Sequence, residues 1–205
     1  MLSMPGELIK DPIFQLNALL WLAQPLPDRQ EIIPILYRQG FSVYAVAPLL
    51  SLPPDLRLAA QATAISLREG VRHDVILVQQ GEQKFAFTEC KADSFGPASS
   101  TADQARSLLL VSGPRAAEIL ALAQSQLSSS RLVFVVPEHS RSRLSQTLSS
   151  LQSELRADGM PVGEVAIIGL LLTASDLSLS IDSAGSQFFG LAAGTHPFTR
   201  VEPDT

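Results

Sequence analysis

The sequence predicts an α/β domain in which helices flank a central mixed sheet. Two observations carry this prediction. "RLVFVVP" (131–137) and "VGEVAIIGLLL" (162–172) are continuous apolar runs, which are typical of strands buried on both faces. Segments with helical patterning and cap residues lie before and between them, and strands that alternate with helices of this length build layered α/β domains.

The composition is that of a globular chain, since 46% of the 205 residues are hydrophobic and 17% are charged. A net charge of -5 argues against a protein that holds long nucleic acids by bulk electrostatics alone. The single cysteine, Cys90, excludes an intrachain disulfide and a structural cysteine zinc site. The apolar runs are shorter than the ~20 residues that cross a bilayer. We therefore expect a cytoplasmic protein with no membrane partner.

Residues 1–52 are predicted to form a mostly helical N-terminal extension. Asp11 as N-cap and Pro12 at the first helical position predict a helix over 11–24. Pro34 leaves open whether 29–40 is helical. "FSVYAVAPLL" (41–50) fits either a strand or a buried connector.

Residues 53–172 are predicted to form the core, in the order α-β-β-α-α-β-α-β. A proline start, an alanine-rich interior and a closing glycine predict a first helix over 53–70. "HDVILVQ" and "KFAFTECKA" predict two strands around the turn "QGEQ". Three further helices are predicted: one capped by Ser100 or Thr101, one restarting at Pro114, and one running from Ser140 to Gly159. The Gly- and Ser-rich residues 173–205 predict one more strand and a loose tail.

One predicted strand ends in charged residues. Side chains alternate along a strand, so Phe85, Phe87, Glu89 and Lys91 share a face whose charged end lies where the strand leaves the core. Asp74 begins the preceding strand and can lie near Glu89. Two neighbouring carboxylates repel unless a cation lies between them, and hard oxygen ligands suit Mg²⁺. A lysine two residues from such a ligand can orient water and stabilise negative charge.

Asp74, fourteen intervening residues and then Glu89-Cys90-Lys91 resemble the PD-(D/E)XK nuclease motif. The surrounding order of helices and strands resembles the restriction-endonuclease-like αβββαβ-type core, over roughly residues 53–172. His73 stands where the proline that names the motif would be. This departure removes no ligand.

The resemblance implies a hydrolase that cleaves phosphodiester bonds with Mg²⁺ or Mn²⁺, acting on DNA, with RNA left open. It implies that Asp74 and Glu89 are metal ligands, that Lys91 is the catalytic lysine, and that the backbone carbonyl of Cys90 is a further ligand. Many members carry a glutamate on the preceding helix and several carry a glutamine on the following one. Glu69 and Gln104 occupy those places.

Simpler explanations exist for each of these residues. Glu-x-Lys is common on strands, where it stabilises by only tenths of a kcal/mol. Glu69 is explained most simply by a solvated last helical turn, and Gln104 is explained equally well by an exposed helix position. The prediction therefore depends on the conjunction of motif, strands and flanking helices. The chain carries no P-loop, GxGxxG, nucleophile-elbow or HExxH motif that would support another chemistry.

Two alternatives stay open from the sequence. The first is a catalytically silent nuclease fold that serves as a binding or assembly module in a larger nucleic-acid-processing or defence complex. The second is an unrelated α/β interaction protein in which the motif is coincidental. If the chain is a nuclease, its acidic balance predicts that a homodimer mate or another protein presents the substrate.

Overall fold

Nine strands and eight α-helices are found in the computed structural model, which describes residues 5–25, 34–63, 65–173 and 177–197. The strands are β1 (Phe41–Val46), β2 (Leu49–Ser51), β3 (Gly70–Arg72), β4 (Val75–Gln79), β5 (Lys84–Cys90), β6 (Ser129–Pro137), β7 (Glu164–Leu172), β8 (Leu177–Ile181) and β9 (Gly194–Pro197). The helices are α1 (Pro5–Leu8), α2 (Pro12–Ala23), α3 (Ile35–Arg38), α4 (Pro54–Ala62), α5 (Ser100–Val111), α6 (Ala116–Ile119), α7 (Arg141–Ala157) and α8 (Ser183–Phe189).

Seven strands form one mixed sheet in the order β1-β4-β5-β6-β7-β8-β9, which confirms the predicted α/β class. The first three are antiparallel neighbours, β5, β6 and β7 run parallel, and β8 and β9 are antiparallel again. β2 and β3 pair separately. The sheet crosses both boundaries expected from the sequence, since β1 precedes residue 53 and β8 and β9 follow residue 172.

Helices cover both faces of the sheet. One apolar cluster joins α4, α5 and α7 to the face that carries Phe85, Phe87 and Phe134. The other joins α2, α3 and α8 to the opposite face, which carries Ala86 and Val133. Within the described ranges, no helix is long and apolar enough to cross a membrane.

The N-terminal helix and the buried strands agree with the sequence. Asp11 caps α2 by accepting a hydrogen bond from the Ile13 N–H, and Pro12 is its first residue. β6 and β7 lie where the two apolar runs predict them. Gly159 follows α7 with a φ of 71°, a left-handed conformation that favours glycine and ends a helix. In the segment 29–40, whose helical state the sequence leaves open, α3 begins after Pro34, and residues 29–33 lie outside the described part.

The helix predicted over 53–70 is wrong in its second half, because α4 ends at Ala62. The Thr63 hydroxyl donates to the carbonyls of Ala59 and Ala60, and the Ile65 N–H closes back onto Ala60. Ile65 is then buried in the core. Tertiary burial of this β-branched side chain outweighs the local helix signal.

Two further helix predictions need correction. Ser99, rather than Ser100 or Thr101, caps α5, by accepting a hydrogen bond from the Ala102 N–H. The helix predicted from Pro114 is reduced to the single turn α6, because Ala121 adopts a positive φ of 54° and the Leu122 N–H bonds to the Ala117 carbonyl. This reversal brings Leu122 against the core.

The C-terminal part contains more structure than the single strand and loose tail that the sequence predicts. α8 and β9 both follow β8, and Asp182 caps α8 by accepting from the Gly185 N–H. Position 185 has no room for a side chain, since a Cβ there would lie 2.7 Å from Ile181 Cγ2. The helix buries Phe188 and Phe189 against Phe41, with ring centroids 5.9 and 5.1 Å from it. Residues 198–205 lie outside the described part.

Gly113→Ala is expected to lower the free energy of unfolding by about 2 kcal/mol, the usual range for overpacking a tight contact. A Cβ at Gly113 would lie 2.5 Å from the Pro161 carbonyl oxygen, a backbone atom that has little room to move. Gly81→Ala is the matched control, since nothing lies within 4 Å of its Cβ position. Urea unfolding of both variants measures the effect. Equal stabilities would show that the backbone at Pro161 yields freely.

Candidate active site

The charged residues singled out in the sequence meet where β5 leaves the sheet. The carboxyl ends of the parallel strands β5 and β6 lie side by side there, since Cys90 pairs with Val135. α/β proteins commonly place ligands at this kind of edge. The first turns of α5 lie over the same end of β5, because Gln104 contacts Glu89.

Glu89 is the centre of the site and is almost fully buried, with 3% of its surface exposed. Its Oε1 accepts hydrogen bonds from Lys91 Nζ at 2.7 Å and from Gln104 Nε2 at 3.0 Å. Lys91 Nζ also lies 3.3 Å from Gln104 Oε1, so the three side chains form a closed ring of contacts. Glu89 Oε2 is buried and has no hydrogen-bond partner among the described residues.

The buried position changes the acidity of Glu89. Burial raises the pKa of its carboxyl from 4.5 to about 7, the Lys91 ammonium opposes that rise, and the Asp74 carboxylate adds to it. Removal of water from a carboxylate disfavours its charged form, and a second carboxylate nearby disfavours it further. A bound cation would reverse both effects.

Asp74 lies close to Glu89, in a bend one residue before β4. The regular β4–β5 pairing ends at Val75 and Thr88. The Asp74 carboxylate is near enough to raise the pKa of both Glu89 and the Cys90 thiol. Asp74 Oδ2 accepts a hydrogen bond of 2.6 Å from the Cys90 N–H, and the Asp74 N–H donates to the Thr88 carbonyl. The Cys90 N–H thus occupies one of the two carboxylate oxygens of Asp74.

Cys90 projects to the opposite face of the sheet from Glu89. Its thiol belongs to the apolar cluster under α2, and burial raises the pKa of this thiol far above its usual range. The side chain is therefore a small buried apolar group. The Cys90 N–H donates to Asp74 Oδ2, and the nearby Asp74 carboxylate also raises the pKa of the thiol.

Glu69 lies outside this cluster, which corrects its expected place on the preceding helix. α4 ends before it, and Glu69 occupies a bend just before β3. Its side chain is 79% exposed and forms an ion pair with Arg57. The structure thus brings Asp74, Glu89, Cys90, Lys91 and Gln104 together and leaves Glu69 on the surface.

His73, which stands at the position of the motif's proline, lies in the core. It is completely buried and packs edge-on against Phe87, with ring centroids 5.1 Å apart. Neither ring nitrogen has a hydrogen-bond partner among the described residues. Burial lowers the pKa of His73 from 6.5 to about 3, so the ring is neutral at physiological pH.

Gln15 was missed from the sequence altogether. It is a fully buried residue of α2 whose Nε2 donates to the carbonyls of Ile9 and Lys91 at 2.8 and 2.9 Å. Its one sequence signal is a lone amide inside an otherwise apolar helical face. Such a signal does not indicate which distant backbone group the amide meets.

The donor set limits what kind of ion could bind. In the described ranges, no group of three or more Asp, Glu, His or Cys side chains could hold a metal. An ion at this site would therefore draw on the two carboxylates of Asp74 and Glu89 and on backbone or water oxygens. Mg²⁺ is commonly held in this way, through one or two carboxylates plus substrate phosphate and several waters.

Comparisons of the chain with protein-family models, with curated proteins and with solved structures each returned no match.

Proposed function

We propose that this chain is a divalent-metal-dependent nuclease of the PD-(D/E)XK type that hydrolyses phosphodiester bonds of DNA. The observation that carries the proposal is the buried Glu89 carboxylate, held by Lys91 and Gln104 and close to the Asp74 carboxylate. A carboxylate buried at the end of a strand is costly to the fold, and titratable groups with shifted pKa values are enriched at functional sites.

The order of elements supports the same proposal. α2, β1, β4, β5, α5 and β6 occur in this order along the chain, with α3 before β1, the segment that holds β2, α4 and β3 before β4, and α6 before β6. Three antiparallel strands followed by a helix and a parallel strand fit an αβββαβ-type core. On this assignment the core begins at α2, so the segment expected to be an extension belongs to it.

Two carboxylate oxygens, one from Glu89 and one from Asp74, suit a divalent cation. Glu89 Oε2 is without a partner among the described residues, and Asp74 Oδ1 is not used by the Cys90 N–H. These two atoms, with the Cys90 carbonyl, would hold Mg²⁺ or Mn²⁺. When bound, the ion would neutralise charge on the scissile phosphate and lower the pKa of a water molecule.

The remaining chemistry belongs to side chains of the chain. Glu89 and Gln104 hold the Lys91 ammonium at the site, where it would orient the attacking water and stabilise the negative charge that develops on the phosphate. Gln104 donates to the same Glu89 oxygen as Lys91 does, which leaves Oε2 for the ion. The net charge of -5 gives little general attraction to DNA, so we propose that a homodimer mate or a protein partner presents the substrate.

Lys91→Ala is expected to reduce metal-dependent cleavage of supercoiled plasmid and single-stranded DNA by ~100-fold or more, the usual loss when one stabilising group is removed from an active site. Glu89→Ala should abolish cleavage together with metal binding. Lys84→Ala is the matched control, since Lys84 lies at the other end of β5 in an ion pair with Glu82. The assay compares the four proteins with Mg²⁺, Mn²⁺ and EDTA.

Equal cleavage by the wild type and by Lys91→Ala would overturn the proposed site. If the wild type does not cut, calorimetric titration with Mn²⁺ separates the remaining explanations. Mn²⁺ binding that Glu89→Ala removes would indicate a nuclease that needs its partner. No Mn²⁺ binding would refute the proposal in favour of the silent binding or assembly module.

A further inference from the structure

Gln15 is a polar residue on the buried face of α2, which is otherwise formed by Ala18, Leu19, Leu22 and Ala23. It has no exposed surface. Burying an amide in apolar surroundings costs free energy unless its polar atoms are hydrogen-bonded. The position would be filled more stably by an apolar side chain unless the amide has a specific task.

Both hydrogens of the Gln15 amide are used. Nε2 donates to the Ile9 carbonyl at 2.8 Å and to the Lys91 carbonyl at 2.9 Å. Because both partners are acceptors, only the NH₂ group can face them, so the orientation of the amide is fixed by chemistry. Gln15 thus connects the chain before α2 to the residue that follows β5.

The backbone of Lys91 is held on two sides. Its N–H donates to the Val135 carbonyl of β6 at 2.9 Å, which continues the β5–β6 pairing past the end of β5. Its carbonyl accepts from Gln15 on the α2 side of the sheet. The side chain projects to the α5 side, where Nζ meets Glu89 and Gln104. Gln15 therefore fixes the point at which the Lys91 side chain leaves the backbone.

We infer that Gln15 is a positioning residue for Lys91, which holds the lysine backbone from the far side of the sheet so that its ammonium stays on Glu89. The inference rests on the proposed function for its catalytic consequence only. The structural link between Gln15 and the Lys91 ammonium can be measured whether or not the chain cuts DNA.

The chain has three lysines, Lys10, Lys84 and Lys91. Protein labelled with ¹³C at the lysine Cε therefore gives three signals, and Lys91→Arg identifies the one from Lys91. Gln15→Met keeps the side-chain length and removes the donor. We expect the Lys91 signal to move toward the position of an exposed lysine, while the signal of Lys84 stays unchanged. Lys84 is the internal reference, since Lys10 directly follows Ile9, whose carbonyl also loses its bond to Gln15.

Two further variants complete this experiment. Gln15→Glu, buried among carbonyls, stays protonated and can donate one of the two bonds, so its Lys91 signal should move only part of the way. This variant also keeps the test available if Gln15→Met does not fold. Asn17→Ala, at an exposed position of the same helix, is the control and should leave the Lys91 signal unchanged.

In the cleavage assay, Gln15→Met should lower kcat by ~10- to 100-fold, the usual effect of residues that orient others, with KM unchanged. An unchanged Lys91 signal in both folded Gln15 variants would overturn the inference. A wild type that neither cuts DNA nor binds Mn²⁺ would refute the proposed function instead, and the NMR result would stand separately.

Discussion

Glu89→Gln is expected to stabilise the fold above pH 7 while it abolishes metal-dependent cleavage. Glutamine has the shape of a protonated glutamic acid, so it removes the cost of ionising a buried carboxyl. The pKa of Glu89 is raised from 4.5 to about 7, chiefly by burial. That shift corresponds to about 3 kcal/mol of destabilisation of the folded state once the carboxyl is ionised. Cleavage should fall by ~100-fold or more because the variant loses a proposed metal ligand.

Urea unfolding in EDTA at pH 5 and pH 8 measures the stability part of this prediction. The variant and the wild type should differ little at pH 5 and by a few kcal/mol at pH 8. Glu82→Gln is the control, since Glu82 lies in the exposed turn before β5 and pairs with Lys84. A variant less stable than the wild type at pH 8 would show that the Lys91–Glu89 ion pair outweighs the cost of burial.

Glu89→Gln is expected to raise stability and to lower cleavage because Glu89 is a buried residue of the proposed site. A fold selected for stability alone would place an apolar residue at a position with 3% exposure in a strand flanked by helices. The sequence itself hints at this conflict, because Glu89 shares its strand face with Phe85 and Phe87. A charged residue at one buried position of a strand face that is otherwise apolar is typical of functional sites.

The closeness of Asp74 to Glu89 could be predicted because it depends on short-range geometry. A turn of a few residues joins β4 to β5, so the start of β4 lies beside the end of β5. The contact between Gln104 and Glu89 is also local, since one loop separates β5 from α5. Helix and strand periodicity carry this kind of information directly.

Residues whose partners lie far away in sequence could not be placed in this way. Gln15 meets Lys91 across 76 positions, and nothing in the composition of α2 indicates that acceptor. The predicted place of Glu69 on the preceding helix is wrong for a related reason, because the burial of Ile65 ends α4 before Glu69 is reached. α8 was not predicted because its glycine and serines are typical of a loop. In the structure, Gly185 lets the helix pack closely against Ile181.

His73→Leu is expected to lose stability as the pH rises from 4.5 to 6.5, a range in which the stability of the wild type should change little. Burial lowers the pKa of His73 from 6.5 to about 3, so the unfolded chain binds a proton in this range that the folded protein does not. Stability from His73 is therefore fully present above pH 6.5 and is lost as the pH falls. Glu89 acts oppositely, since its stability contribution is present below pH 4.5 and is lost as the pH rises to about 7.

The contributions of His73 and Glu89 to the pH dependence of stability should thus nearly cancel in the wild type. Each bound proton changes the unfolding free energy by about 1.4 kcal/mol per pH unit, and the two contributions have opposite signs. His73→Leu leaves Glu89 alone, so its stability should decrease from pH 4.5 to 6.5. Glu89→Gln leaves His73 alone, so its stability should increase over the same range. The lowered pKa values of Asp55 and Asp93 act below their ordinary value of 3.8 and so do not interfere.

Urea unfolding of both single variants and of the double variant in EDTA tests this compensation, with a flat profile expected for the double variant. Parallel profiles for the wild type and His73→Leu would show that the buried imidazole is protonated in the fold. The compensation also has a consequence for the site. A divalent ion that binds the ionised form of Glu89 would remove the contribution of Glu89 to the pH dependence of stability. The stability of the wild type in saturating Mn²⁺ should therefore increase from pH 4.5 to 6.5, as that of Glu89→Gln does.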